Sequence, residues 1–240
     1  MKKIVWMLLL VATTASSEPI EFVVSGSVGS PTDVLVRQLI EKLESVLNTS
    51  VVVVNKPGGG HMVAYNYVLA STKPTLLMST AEIVNHELYS KAFDLFTVGY
   101  FTNKMYVNSR SGIKNLPDLI ELSRRRPIVF GTSGVGNHSY IAMEILCKTT
   151  IRCIDVSYKS GSEGMIAVLA GEIDTYAAVS YGIDYSQNLN YTMVHEVKLP
   201  KDRSWLKLFA RNIGDRDRQK IVGMMTQQSS KFYSDMGFYK

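Results

Sequence analysis

Apolar residues along this chain follow two different spacings. Residues 20–24 are a strand candidate, and the apolar, β-branched run at 51–54 predicts a buried parallel strand. Between them, the apolar residues of 34–47 recur at the spacing of one helical face. Further strands are predicted at 75–78, 128–131, 151–157 and 173–179, and further helices at 61–70, 83–89, 116–125, 140–148 and 164–170. Strands that alternate with helices predict a doubly wound α/β fold with mostly parallel sheets.

A long β-like run at 96–108 lies midway along the chain. It predicts the connection between two lobes. The first lobe is expected to contain residues 18–105 and 206–240, and the second lobe residues 106–205. Beyond residue 181 the pattern weakens, and it predicts a strand within 186–198 and one or two helices within 215–233. The C-terminal helices are expected to return to the first lobe.

The first 17 residues predict a secretory signal peptide. Lys2 and Lys3 precede an apolar run of nine residues, and small polar residues follow with a cleavage site after Ala15 or Ser17. A membrane anchor is the alternative, but a span needs about 20 apolar residues. We therefore expect an exported protein, either periplasmic or secreted.

Charge and composition exclude some classes of partner. The formal net charge is +5, and it falls to +3 when Lys2 and Lys3 leave with the signal peptide. This mild excess suits a small anionic ligand, whereas no stripe of lysine and arginine predicts a nucleic-acid interface. The 46% of hydrophobic residues is ordinary for a globular protein with its own core.

The two cysteines, Cys147 and Cys153, are expected to form a disulfide because the chain is predicted to be exported. Two buried thiols are the alternative. A zinc site is not expected, since zinc needs more cysteine or histidine ligands than this part of the sequence offers. We expect no metal and no other cofactor.

Four polar loops follow predicted strands, at 25–33, 79–80, 131–139 and 158–161. Ligands of open α/β sheets bind beyond the carboxyl ends of the strands. In the first loop, Ser30 is a predicted N-cap, followed by Pro31 and a capping-box residue, Asp33. The third loop offers Asn137 or Ser139 as a cap. Two such helix starts facing one cleft would present backbone N–H groups to both ends of a diacid.

Catalytic and nucleotide-binding motifs are incomplete in these loops. A nucleophile elbow needs G-x-S-x-G, but Val135 stands at its last position. The glycines at 58–60 lack the Gly-Lys-Ser/Thr of a phosphate loop, and those at 134 and 136 lack the third glycine of a dinucleotide site. A Ser133–His138 dyad is the hydrolase alternative, although residues this close on one loop make a poor catalytic pair. We expect no catalytic residues. Tyr158, Tyr176 and Tyr181 are candidates to line a pocket, although for Tyr176 we expect core packing.

Several short motifs, taken in order, resemble one known family. They are Pro31-Thr32-Asp33, Val-Asn-Lys-Pro-Gly at 54–58, the segment at 85–89, Phe-Gly-Thr-Ser-Gly at 130–134 with Gly136 and His138, Val-Ser-Tyr-Lys at 156–159 with Gly161, and Gly-Glu-Ile-Asp at 171–174. Over residues 19–182 the chain is similar to the periplasmic solute receptors of tripartite tricarboxylate transporters, the Bug-type receptors. The resemblance implies a two-lobed periplasmic binding protein of the type II kind, which closes around a small carboxylate without catalysis.

The resemblance also implies which residues contact the ligand. These are Ser27, Val28, Gly29, Ser30, Ser79, Thr80, Thr132, Ser133, Gly136, Asn137 and His138. The implied partner is a tripartite membrane permease, served by a monomeric receptor. A membrane sensor kinase is the second possibility, and a secreted serine hydrolase is the third.

The first loop departs from the family pattern. Ser25, Gly26 and Ser27 stand where the family has two prolines and an aromatic residue, and Ser30 replaces a glycine. We expect a roomier and more polar pocket floor. The C-terminal part is also shorter than is usual in the family, which bears on how the lobes close.

Overall fold

The computed structural model describes residues 18–80, 94–200, 204–228 and 230–239. The predicted signal peptide and the helix predicted at 83–89 lie outside these ranges. In chain order the elements are β1 (Ile20–Val24), α1 (Pro31–Leu47), β2 (Val51–Asn55), α2 (Met62–Ala70), β3 (Thr75–Thr80), β4 (Asp94–Tyr100), β5 (Asn103–Asn108), α3 (Leu116–Arg125), β6 (Ile128–Thr132), α4 (His138–Cys147), β7 (Cys153–Ser157), α5 (Gly161–Ala170), β8 (Thr175–Val179), β9 (Tyr191–Val197), β10 (Trp205–Arg211), α6 (Asp215–Gln227) and α7 (Ser230–Asp235).

The strands form two five-stranded sheets, one in each lobe. The first has the order β2-β1-β3-β10-β4 and the second the order β7-β6-β8-β5-β9. In the first sheet β10 runs antiparallel to both of its neighbours, and in the second β5 does the same. The other strands within each sheet run in one direction. The predicted two-lobed α/β fold is therefore confirmed, although each sheet is mixed, with two parallel and two antiparallel pairings.

Both faces of the first sheet are covered by helices. Phe22 and Val24 of β1 belong to the core on the α1 side, whereas Val23 packs with Ala64 and Tyr65 of α2 on the other side. Successive side chains of a strand point to opposite faces. A strand covered on both faces is apolar where the helices cover it, which explains the apolar residues at 22–24. Glu21, near the start of β1, is only partly buried and accepts hydrogen bonds from Tyr67 and Lys73.

The run predicted as one strand at 96–108 is two strands in two sheets. β4 ends in the first sheet and β5 begins in the second, so the chain crosses between the lobes at Phe101-Thr102. The Phe101 N–H donates to the carbonyl of Ser204, which lies on the returning connection between β9 and β10. The boundary drawn after residue 105 thus falls inside β5, and sheet pairing moves it to residues 101–102.

A disulfide joins Cys147, at the end of α4, to Cys153, at the start of β7. It lies at the amino ends of the parallel strands, away from their carboxyl ends. Among the described residues, no group of histidine, cysteine and acidic side chains is arranged to hold a metal ion. In the same part of the chain, no helix is both long and apolar enough to cross a membrane.

Candidate functional site

A cleft lies between the lobes, at the carboxyl ends of the parallel strands. It contains about 490 Å³ of space, part of it continuous with solvent. The first lobe contributes Ser25, Gly26, Ser30, Pro31, Thr32 and His61 to its walls. The second lobe contributes the loops after β6, β7 and β8. The cavity volume of the cleft is only about 40 Å³, well below the roughly 300–1,000 Å³ of a typical small-molecule site, so the two lobes stand close together in this structure.

The first wall is the start of helix α1. Ser30 is its N-cap and accepts a hydrogen bond from the Asp33 N–H at 3.3 Å, with Pro31 in the first turn. The Asp33 carboxylate is buried and accepts from the Gly29 N–H and from Arg37, both at 2.9 Å. The hydrogen-bond partners of the Asp33 carboxylate therefore belong to its own lobe. The positive end of a 17-residue helix faces the cleft.

The Asp33 carboxyl group is held ionised by its neighbours. Burial raises its pKa, but the hydrogen bonds from Arg37, the Gly29 N–H and Asn55 outweigh burial, and the net pKa lies below the ordinary value of 3.8. Because the pKa is lowered in the folded state, the ionised group stabilises the fold above the unfolded pKa. That stabilisation is lost as the pH falls through the folded pKa.

We expect Asp33→Asn to reduce the free energy of unfolding at pH 6 by about 1–2 kcal/mol, because buried hydrogen bonds to a charged group are lost. The variant and the wild type should approach each other only as the pH falls below about 3.8 and through the lowered folded pKa, because the wild-type carboxylate then becomes protonated. Urea unfolding between pH 2.5 and 6 measures both effects. Asp217→Asn, which removes a surface pair with Lys220, is the control and should change stability by less than about 1 kcal/mol. A constant difference between Asp33→Asn and the wild type across this range would contradict the assignment.

The second wall is the turn before helix α4. Asn137, and not Ser139, is the N-cap: its Oδ1 accepts from the Ser139 N–H at 3.0 Å and from the Ser139 hydroxyl at 2.8 Å. The Ser139 hydroxyl in turn accepts from the Ser133 N–H at 2.9 Å. Gly134 and Gly136 have positive φ angles of 99° and 83°, which lets the chain turn back on itself. The turn is therefore fixed by its own hydrogen bonds.

The third wall is the start of helix α5. Ser160 is its N-cap, and Lys159, Ser160 and Gly161 all line the cleft. The Tyr176 ring lies against this helix, and a Cβ at Gly164 would come within 2.4 Å of that ring. Among the described residues that line the cleft, Lys159 is the only lysine or arginine, and none is aspartate or glutamate. The electrostatic character of the cleft is thus positive.

Two hydrogen bonds join the lobes across the cleft. Thr32 Oγ1 lies 2.9 Å from the hydroxyl of Tyr181, and Asn137 Nδ2 lies 3.1 Å from His61 Nε2. Because the Ser139 N–H holds the Asn137 oxygen, the amide nitrogen must face His61 and donate to it. His61 therefore has its lone pair on Nε2, and its Nδ1 faces the hydroxyls of Ser79 and Thr80 at 3.4 and 3.3 Å.

The residues predicted to contact a ligand take different places. Ser30, Ser133 and His138 line the cleft. The others support or flank it: Ser27, Gly29, Gly136 and Asn137 shape the two turns, Ser79 and Thr80 hold His61, Thr132 donates to Asp155 on β7, and Val28 is exposed. The two predicted helix starts therefore do meet at one cleft.

Several cleft residues were absent from the predicted set. Lys159, Ser160 and Gly161 lie in the fourth polar loop, so their position after a strand was the signal that pointed to them. Tyr176 is fully buried as expected for core packing, yet its hydroxyl also reaches the cleft, 2.6 Å from Ser133 Oγ. His61 follows the glycines at 58–60, and the sequence alone did not show that this turn brings the histidine to the cleft.

The hydrolase alternative is not supported by these contacts. The hydroxyl of Ser133 is paired with Tyr176. The group that orients His138 is the amide of Asn103, 2.9 Å from Nδ1, and not a carboxylate. A serine nucleophile needs an adjacent base that is itself oriented, normally by a carboxylate.

Comparison with known proteins decides the family. Residues 35–192 match the profile of a family described as "Tripartite tricarboxylate transporter family receptor". The chain belongs to this receptor family. The match confirms the resemblance to Bug-type receptors, and the family is one of receptors and not of enzymes, as the sequence predicted.

Two curated relatives are each less than 30% identical to this chain. A UPF0065 protein of Bordetella bronchiseptica is 29% identical over 176 residues, which cover 68% of this chain and 52% of that protein. The protein BugT of Bordetella pertussis is 23% identical over 178 residues, with 68% and 55% covered. The chain therefore spans about half the length of the curated relatives it matches.

Solved structures of binding proteins share the fold. The periplasmic binding protein BugD superposes with a TM-score of 0.74 at 17% identity, over 91% of this chain and 86% of BugD. An R. palustris protein with adipate gives a TM-score of 0.78 at 16% identity, over 91% and 87%. MatC from Rhodopseudomonas palustris with bound malate gives 0.74 at 16%, over 91% and 89%. At these identities the likeness shows the fold alone.

Proposed function

We propose that this protein is an exported solute receptor that binds a small di- or tricarboxylate between its lobes. The observation that carries the proposal is the composition of the cleft. The starts of helices α1, α4 and α5 border it together with Lys159, and no acidic side chain is among its described lining residues. Helix starts and a lysine favour an anion, and a cleft with positive groups on both lobes suits a ligand with two acidic ends.

The proposed ligand contacts are Ser30 from the first lobe and Ser133, His138 and Lys159 from the second. Asn103 Nδ2 donates to the carbonyl of Ala177 as well as to His138 Nδ1, which orients the amide. The His138 proton is then on Nε2, where it is a donor for a carboxylate oxygen. Of the remaining predicted residues, those in the two turns shape the turns, whereas Ser79 and Thr80 hold His61 and Thr132 donates to Asp155.

The proposed mechanism is closure of the lobes around the ligand. A ligand that contacts both lobes stabilises the closed arrangement by its differential affinity for that state. The hydrogen bonds Thr32–Tyr181 and His61–Asn137 add to the stability of the closed state. No covalent step is involved.

The proposed partner is a tripartite membrane permease, because the family is named for that transporter. The proposed location is the periplasm, with the signal peptide removed. The proteins with adipate and with malate support the choice of small carboxylates as test ligands.

Thermal unfolding with a panel of acids tests the proposal. Malate, adipate and citrate are compared with dimethyl malate and dimethyl adipate, which lack the charges. An acid present at 100 times its Kd should stabilise the fold by about 2.7 kcal/mol and raise Tm by about 5–10 °C. The esters should give no rise. If no acid in a broader carboxylate panel raises Tm, or if the esters act equally, the proposal fails.

A further inference from the structure

The last described residues, 236–239, form a segment that we call the C-terminal strap. Helix α7 ends at Asp235, and Gly237, two residues later, has a positive φ of 86°. The Gly237 N–H donates to the carbonyl of Ser234 and the Phe238 N–H to that of Tyr233, the hydrogen-bond pattern of a Schellman cap. The cap turns the chain toward the edge of the first sheet. There Tyr239 pairs with Tyr100 of β4 through two backbone hydrogen bonds of 2.9 and 3.0 Å.

The strap also contacts the second lobe. The Gly182 N–H donates to the carbonyl of Met236 at 2.9 Å, and the Ser180 hydroxyl donates to the carbonyl of Gly237 at 3.2 Å. The Tyr239 hydroxyl donates to the carbonyl of Phe101, which lies on the crossing between the lobes. The strap therefore joins the two lobes beside their connection.

The Phe238 ring stacks on Tyr181. Their ring centroids are 4.8 Å apart and their planes differ by 15°. Phe101 contacts the same tyrosine edge to face at 5.2 Å. The approach of Phe238 depends on Gly99, where a Cβ would lie 2.8 Å from the Cβ of Phe238. Tyr181 is therefore held between the strap and Phe101 at the crossing between the lobes, and its exposure is only 1%.

Tyr181 in turn belongs to the cleft. It lines the cleft and its hydroxyl reaches Thr32 of the other lobe at 2.9 Å. A side chain whose rotamer is locked by packing loses less freedom when the site closes around a ligand. Residues outside the cleft that fix the orientation of Tyr181 can therefore change the affinity of the cleft for a ligand.

We propose that the strap positions Tyr181, and that Phe238 thereby sets the ligand affinity of the cleft without touching the ligand. The inference rests on the proposed function for its affinity readout. Phe238 is a positioning residue in this scheme, and Tyr181 is the residue through which it acts.

The test compares Phe238→Ala with Phe232→Ala. Phe232 is an aromatic residue on α7, and its ring packs against Lys42 and Tyr233. Isothermal titration with malate and adipate, well below both melting temperatures, should show binding about three- to tenfold weaker for Phe238→Ala, the range expected for one aromatic pair. Phe232→Ala should lower Tm but keep Kd within about twofold of the wild type. If Phe238→Ala does not fold, Phe238→Leu, which keeps apolar bulk and loses the stacked ring, is measured instead.

A double-mutant cycle with Thr32→Val separates positioning from general destabilisation. Thr32→Val removes the partner of the Tyr181 hydroxyl. If Phe238 acts through Tyr181, the loss of affinity in Thr32→Val/Phe238→Ala is smaller than the product of the two single losses, because both changes disturb one contact. Multiplicative losses, an unchanged Kd for Phe238→Ala, or an equal loss for Phe232→Ala would overturn the proposal.

Hydrogen exchange in the protein without ligand gives a readout that does not depend on the proposed function. Phe238→Ala should increase exchange of the amides at 180–182 at least about fivefold, while Phe232→Ala leaves them unchanged, because exchange reports local opening. If the wild type binds no carboxylate but this increase is seen, the proposed ligand class fails and the positioning role of the strap stands. Unchanged exchange at 180–182 in Phe238→Ala overturns the strap proposal whatever the wild type binds.

Discussion

Lys159→Glu is expected to bind small dicarboxylates at least about 100-fold more weakly than the wild type, a change of about 2.7 kcal/mol. Among the described lining residues, Lys159 is the only lysine or arginine, beside the start of α5. The substitution replaces an attractive charge with a repulsive one at an exposed residue that lines the cleft, next to the space that the ligand would occupy. Isothermal titration with malate and adipate measures the loss.

Lys114→Glu is the matched control, since it makes the same change of charge at an exposed residue outside the cleft. It should alter Kd by less than about twofold at 0.15 M salt, where the Debye length is about 8 Å. Lys159→Arg should keep most of the affinity because the positive charge remains. Wild-type affinity in Lys159→Glu would show that this residue does not face the ligand.

Gly182→Ala is expected to prevent full closure and to weaken ligand binding about 30-fold or more, if the added clash raises the closed state by about 2 kcal/mol or more. Gly182 has a φ of 79°, and a Cβ there would lie 2.6 Å from the carbonyl oxygen of Pro31 in the other lobe. Separation of the lobes relieves this clash, so the open state is affected less. Small-angle scattering with saturating malate should show a larger radius of gyration than the ligand-bound wild type.

Gly112→Ala is a matched control for backbone strain. Gly112 has the same φ of 79°, but no atom lies within 4 Å of the position of its Cβ. Both variants should lose stability by about 1 kcal/mol from the left-handed backbone, as measured by urea unfolding without ligand. Only Gly182→Ala should lose affinity. Equal affinities for the two variants would mean that closure does not bring Gly182 against Pro31.

The strands and helices of the parallel halves follow directly from local pattern. The run at 20–24 became β1, which is covered on both faces, and the periodic run at 34–47 became α1 with three more residues at its start. The run at 51–54 became β2 but is not buried as predicted: β2 is an edge strand, and Val52 is exposed. Strand β10 was not predicted. It pairs with β3, which precedes it by more than 100 residues, and a partner so distant leaves no mark on local spacing.

The candidate site was predicted only in part, because local sequence sets the helix caps but does not set which side chains face the cleft. Ser30 and Asn137 are caps, and a cap is a local property of the chain, so both helix starts were found from the sequence. Which neighbouring side chains turn toward the cleft depends on how the two sheets face each other. For that reason His61 and Lys159 were absent from the predicted contacts, and Tyr181 was only one of three tyrosines named as candidates to line a pocket. Thr132 was included although its hydroxyl donates to Asp155.

The sequence by itself determined the N-cap of α1, the burial of β1, and that two closely spaced cysteines in a chain predicted to be exported would pair. These depend on interactions within a few residues or on hydrophobicity alone. The tertiary structure decided that three helix starts share one cleft and that the C-terminal strap reaches Tyr181. Both follow from strand order, because β4 and β10 belong to one sheet, β5 and β9 to the other, and the crossings between them bring the distant loops together.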